Sequence, residues 1–155
     1  MAVKPIPEGY HTLTPYLVVK GAAAALDFYA KAFEATELVR MADPSGKVGH
    51  AEMRIGDSPF MLADEHPEVR AVAPPATGGR YATFLVYVPD VDAVFGRAIA
   101  AGATEVRPVQ LQFYGDRSGT LRDPFGHEWT LATHVEDVPP DEMKRRMQER
   151  AKQAG

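Results

Sequence analysis

Apolar and polar positions change period several times along this chain, and the changes mark its elements. Ala22, Leu26, Tyr29 and Phe33 recur at spacings of four, three and four, the buried stripe of an amphipathic helix. Val91, Val94, Phe95, Ala98 and Ile99 repeat that stripe in the second half, behind Asp90 as a cap and ahead of Gly102 as a stop. Between and after the helices the pattern shortens to the alternation of strands. It predicts strands over Thr12–Val19, Thr36–Met41, Lys47–Ile55 and Ser58–Ala63, the last two joined by the two-residue turn Gly56-Asp57. Tyr81–Val88 and Thr104–Val109 follow. The stretch from Gln112 to Leu131 then folds as a hairpin about the tight turn Asp123-Pro124-Phe125-Gly126, with Thr120–Arg122 and His127–Thr133 as its arms. Pro139–Lys152 reads as a terminal helix with Met143, Met147 and Ala151 in one stripe and Asp141–Arg145 and Glu142–Arg146 as pairs one turn apart.

The order β-α-β-β-β therefore occurs twice, and ATEL at 35–38 is echoed by ATEV at 103–106, as expected of an internal duplication. The expected organisation is one domain over 1–136, made of a module at 11–64, a linker at 65–79 rich in Pro and Gly, and a module at 80–136. A helical tail covers 137–155.

Composition narrows the function classes. With 155 residues, a net charge of −4 and no cysteine, the chain has no basic face for nucleic acid, no disulfide framework and no thiolate chemistry. The first twenty residues lack the pattern of a signal peptide, and no apolar run reaches the roughly 18 residues of a membrane span. The expectation is a cytoplasmic protein that engages neither nucleic acid nor membrane.

The segments PYLVVKGAAAALDFYAKAF, GHAEMRIGDSPFMLADE and DRSGTLRDPFGHEWTL together resemble the vicinal-oxygen-chelate superfamily, which holds glyoxalase I, extradiol dioxygenases and bleomycin-resistance proteins. The wording is most similar to its PhnB-like branch. The resemblance implies an α+β fold in which two βαβββ modules form a curled mixed sheet around a cavity, with a C-terminal helix added, and it implies a homodimer. Metal-using members place His, Gln or Glu at four strand positions, which fall here at Thr14 (or Tyr16), Leu62, Phe84 and Thr130. None of these is a usual ligand, and two cannot coordinate at all.

The resulting expectation is a glyoxalase/bleomycin-resistance-like protein that binds a small apolar or aromatic molecule, with no cofactor. Phe84, Trp129, Tyr16 and Thr130 would shape the pocket, and His50, Tyr114 and Arg117 would supply polar contacts. Asp116 and Arg117 form a candidate pair for holding a carboxylate, or a salt bridge that fixes their loop. The alternative is a lyase, isomerase or dioxygenase using a divalent metal ion held by His50, Glu52 and Glu128. His50 and Glu52 are two apart on one strand and so share a face.

Overall fold

A computed structural model describes residues 3–75 and 82–154. The first module runs β1 (Tyr16–Val19), α1 (Ala22–Phe33), β2 (Thr36–Ala42), β3 (Val48–Ile55) and β4 (Ser58–Asp64). The second runs β5 (Phe84–Tyr87), α2 (Val91–Ala100), β6 (Thr104–Leu111), β7 (Asp116–Arg122) and β8 (Glu128–His134), followed by α3 (Pro140–Gln153). A short 3₁₀ turn at Pro67–Val69 sits in the connection. The strand expected to begin at Tyr81 begins at Phe84 among the described residues; Tyr81, with Gly78 and Gly79 of the linker, lies outside them.

The duplication extends to detail. Each module forms a four-stranded sheet, in the order β1-β4-β3-β2 and β5-β8-β7-β6, with one parallel and two antiparallel pairings. In each, the end of the last strand caps the module's helix. Asp64 Oδ1 accepts from the amides of Gly21 and Ala22 at the start of α1, and Thr133 Oγ1 accepts from the Val91 amide at the start of α2. Asp90 caps α2 as expected, accepting from the Ala93 amide.

The expected single curled sheet around a cavity is not what forms. There are two separate sheets, and no ladder joins them among the described residues. The edge strands explain this in part: β1 and β5 are only four residues long, Pro15 stands before one and Pro89 just beyond the other, and proline has no N–H for a ladder. Pro15 also starts β1 late, so Thr12–Thr14 stay outside the strand, though its carbonyl still accepts from the Met61 amide. The modules join through their helices instead. α1 packs on α2, and one apolar core runs through both modules from Leu17, Leu26 and Tyr29 to Phe95, Leu121 and Trp129.

That junction has a polar centre. Asp123 is buried, and its Oδ2 accepts from Tyr29 of α1 at 2.7 Å and from Trp129 Nε1 at 2.9 Å. Its Oδ1 accepts from the Phe125 and His127 amides, which closes the tight turn. Burial and the neighbouring carboxylate push the Tyr29 phenol well above its ordinary range, so it stays a donor. His127 reaches back across the junction to the Val18 carbonyl at 3.0 Å.

α3 buries no residue fully, and charged contacts tie it to the second module. Arg146 pairs with Glu136 and Glu142 and donates to the Phe113 carbonyl, and Arg150 lies over the Phe113 ring. Of the two expected helix pairs only Glu142–Arg146 forms; Arg145 takes Glu142 and Glu149 instead of Asp141.

Candidate functional site

Each sheet turns one face to its helix and the other away from it, and strand alternation decides which residues reach which face. In the first sheet Leu17, Ala51 and Leu62 face α1 and are fully buried. The rung beside them, Tyr16–Met61–Glu52–Val39, points the other way, as do Val18, Ala63, Met41 and His50. In the second sheet Trp129 and Leu121 are buried on the helix side with Phe84 packed against them, while Leu85, Thr130 and Thr120 share the open face.

This register corrects two of the positions assigned to metal slots. Leu62 is an interior side chain packed under α1, and Phe84 is partly buried against the same core, at the edge of the space between the modules. Their neighbours Met61 and Leu85 stand on the open faces. The parallel pairing fixes the register, and a one-residue slip exchanges the faces. Nor do His50, Glu52 and Glu128 form a ligand set: Glu128 is buried in the other sheet beside Arg122, and no group of three His, Asp or Glu among the described residues could hold an ion.

The residues expected to bind a ligand fall into four places. Tyr16 and His50 meet on the open face of the first sheet. Phe84 and Trp129 touch each other, with ring centroids 4.9 Å apart, at the floor of a groove of about 880 Å³ between the modules. Trp129 is only 3% exposed, its ring set among Tyr29, Phe33 and Phe60 and its N–H on Asp123. Thr130 bonds Thr120 at 2.8 Å on the open face of the second sheet. Tyr114 and Arg117 belong to the region where β7 begins. Arg117 makes a bidentate pair with Asp92, at 2.7 and 2.8 Å, and not with Asp116. Adjacent strand residues point to opposite faces, so the Asp116–Arg117 pairing is excluded by the strand they share.

Asp116 instead meets Tyr87 and His134. Tyr87 donates to one carboxylate oxygen at 3.0 Å and His134 Nδ1 lies 2.7 Å from the other, while His134 Nε2 lies 2.7 Å from Asp137. Asp137, then Asp116, hold the imidazole above its ordinary range. Strand pairing of Asp116 with His134 brings the cluster together.

A second polar group lies on the first sheet. Tyr16 Oη lies 2.8 Å from His50 Nδ1, His50 Nε2 lies 3.0 Å from Glu52 Oε1, and Tyr10 donates to Glu52 Oε2 from the lead-in. The Tyr16 and His50 rings are in contact at 5.6 Å. Hydrogen bonds from His50, then Tyr10, hold the Glu52 carboxyl below its usual range. Burial and then Glu52 push Tyr10 up to about 12, and burial with the charge of Glu52 raises Tyr16 as well. Both phenols therefore stay protonated at neutral pH. Tyr10 was not among the expected site residues, because it lies in the Pro-rich lead-in and far from Glu52 along the chain.

Beside this group lies a groove of about 760 Å³ walled by Tyr16, Val18, Met41, Ala63, Val69 and Ala71, with Asp43, Lys47, Asp64 and His66 at its edges. Val69 and Met41 are largely exposed apolar side chains. The arrangement offers an apolar bed with one polar end, where a phenol hydroxyl and an imidazole converge.

Known proteins share both sequence and architecture with this chain. The family model for the Glyoxalase/Bleomycin resistance protein/Dioxygenase superfamily matches residues 10–131. The chain belongs to that superfamily. It is 46% identical over 138 residues to an uncharacterised protein of Mycobacterium tuberculosis strain H37Rv, covering 87% of this chain and 81% of that one. Among solved structures, TioX from Micromonospora matches with a TM-score of 0.62 and 27% identity, over 81% of this chain and 99% of its own. A gene product of Arabidopsis thaliana matches with a TM-score of 0.65 and 26% identity, over 79% and 98%. Further solved structures, each under 25% identical, share the fold with TM-scores of 0.62–0.63, and no branch of the superfamily is singled out among them. Among the described residues no helix is long and apolar enough to cross a membrane.

Proposed function

We propose that this superfamily member binds a small apolar or aromatic molecule on the open face of its first sheet, without a metal ion. The ligand lies along Val18, Met41 and Ala63 and directs a polar group to Tyr16 and His50. The observation that carries this reading is that Tyr16, whose hydroxyl meets the His50 imidazole, also walls a groove with an apolar bed of Val18, Met41, Ala63, Val69 and Ala71 and charged side chains at its edges. The groove between the modules is larger, but the polar atom of its aromatic floor, Trp129 Nε1, is already bonded to Asp123. Exposed Leu85, Tyr87 and Leu111 support a homodimer that covers apolar surface of the second sheet. The wording of residues 116–131 supports a place in the PhnB-like branch, and the composition supports a cytoplasmic protein.

The test is a screen of flat apolar compounds by protein-observed NMR, run with elemental analysis and native mass spectrometry on the same preparation. Compounds that bind should shift the resonances of Tyr16, Val18 and Ala63. Shifts confined to the groove between the modules, around Phe84 and Trp129, would place the site elsewhere. One tightly held divalent ion per subunit would overturn the metal-free reading.

A further inference from the structure

Resting on that reading, we infer that the first-sheet site selects weak organic acids, taking the ligand as its anion while His50 takes up a proton. The reason is the wiring of the Tyr16–His50–Glu52 group. Glu52 stays ionised and accepts from His50 Nε2, so a neutral His50 carries its hydrogen on Nε2 and leaves Nδ1 as an acceptor. Tyr16 then donates its hydroxyl hydrogen to Nδ1 and has none to offer the groove. Protonating His50 makes Nδ1 a donor. Tyr16 now accepts from it, and its own hydrogen turns to the groove. The site thus presents a phenol donor backed by an imidazolium only when His50 is charged, which is the state an anionic oxygen favours.

The surroundings fit an anion. Besides Tyr16 of β1, Glu52 of β3 and Tyr10, no titratable group among the described residues bonds to His50 or its partners. Met41, directly across from His50 on β2, carries no charge. At the groove's edge, Asp64 is occupied by the Gly21, Ala22 and Val48 amides and Asp43 by Ser45 and the Lys47 amide. His66 faces Glu68. Lys47 is different. No hydrogen bond or ion pair holds its ammonium among the described residues, and the Asp43 charge reaches it only through a longer-range attraction. An apolar body with a carboxylate or similar acidic oxygen therefore matches the bed, the phenol and the free cation together.

The experiment is isothermal titration calorimetry of the full chain with benzoate, cinnamate and 2-naphthoate, each beside its primary amide, at pH 8 in buffers of different ionisation enthalpy. NMR shifts at Tyr16 and Val18 locate the binding. Where an acid binds, the expected result is at least tenfold tighter binding than its amide, with a net uptake of protons that the amide does not show. His50→Gln should abolish the uptake, and Tyr16→Phe should remove the preference for the acid over its amide. Amides that bind this face as tightly as the acids, or acids that bind with no proton exchanged, overturn the inference and leave the proposed function standing. Failure of every acid and amide to reach this face counts against both.

Discussion

Replacing Asp123 by Ala leaves the Tyr29 hydroxyl, the Trp129 N–H and the Phe125 and His127 amides without their shared acceptor. Hydrogen bonds to a charged group contribute about 1.5–3 kcal/mol each when removed singly, and orphaned buried donors add their own cost, so the substitution should destabilise by roughly 3 kcal/mol or more. Tyr29→Phe removes one donor and keeps the ring, and should cost about 1–2 kcal/mol. Urea unfolding curves of both variants check the ranking; equal losses would mean that the ring packing, and not the carboxylate, holds the junction. The sequence showed half of this. The turn made by Asp123 is legible in Asp-Pro-Phe-Gly, because proline and glycine fix its backbone locally. The bond to Tyr29 is not, since the partners stand 94 residues apart and the Tyr29 position fits an apolar stripe equally well. His50 and Glu52 were likewise legible as a pair by their spacing on one strand, whereas Tyr10 reaches Glu52 only through the tertiary course of the lead-in.

Elements were read more reliably than their association. Both helices, the Gly56-Asp57 turn and the β7–β8 hairpin lie where period and turn chemistry place them, because those signals act within a few residues. The separation of the sheets depends on what the edges of β1 and β5 meet in space, and hydrophobic alternation carries no such information. The same holds where β8 passes into the tail. His134 bridges Asp116 of β7 and Asp137 of the tail, and the two carboxylates raise its pKa. A raised value in the folded state means that its stabilisation is fully present below the unfolded imidazole pKa of about 6.5 and is lost as pH rises through the folded value. Asp137→Asn should therefore lower the His134 titration midpoint measured by NMR and leave it above that of an unfolded chain, since Asp116 remains. A midpoint unmoved by Asp137→Asn would show that the tail carboxylate does not engage the ring.

For the molecule as a whole, the shared core implies that the two modules unfold together despite their separate sheets. Trp129 makes this measurable because it is the only tryptophan, and its ring sits among first-module side chains: 5.5 Å from Tyr29, 5.0 Å from Phe33 and 6.0 Å from Phe60. Its fluorescence therefore reports the junction, while far-ultraviolet circular dichroism reports strands and helices in both modules. In a two-state transition the two signals coincide along a urea gradient. They should coincide here, and Asp123→Ala should shift both midpoints by the same amount. The alternative has a distinct signature. If the modules were stable units that merely touch, fluorescence would change at lower urea than dichroism, and Asp123→Ala would move only the fluorescence curve. Coincidence is expected because neither helix can keep its apolar face covered once the other leaves: α1 and α2 pack on each other, and Trp129 and Leu121 belong to the same core as Tyr29 and Phe60. Opening the junction would expose that core in both modules at once.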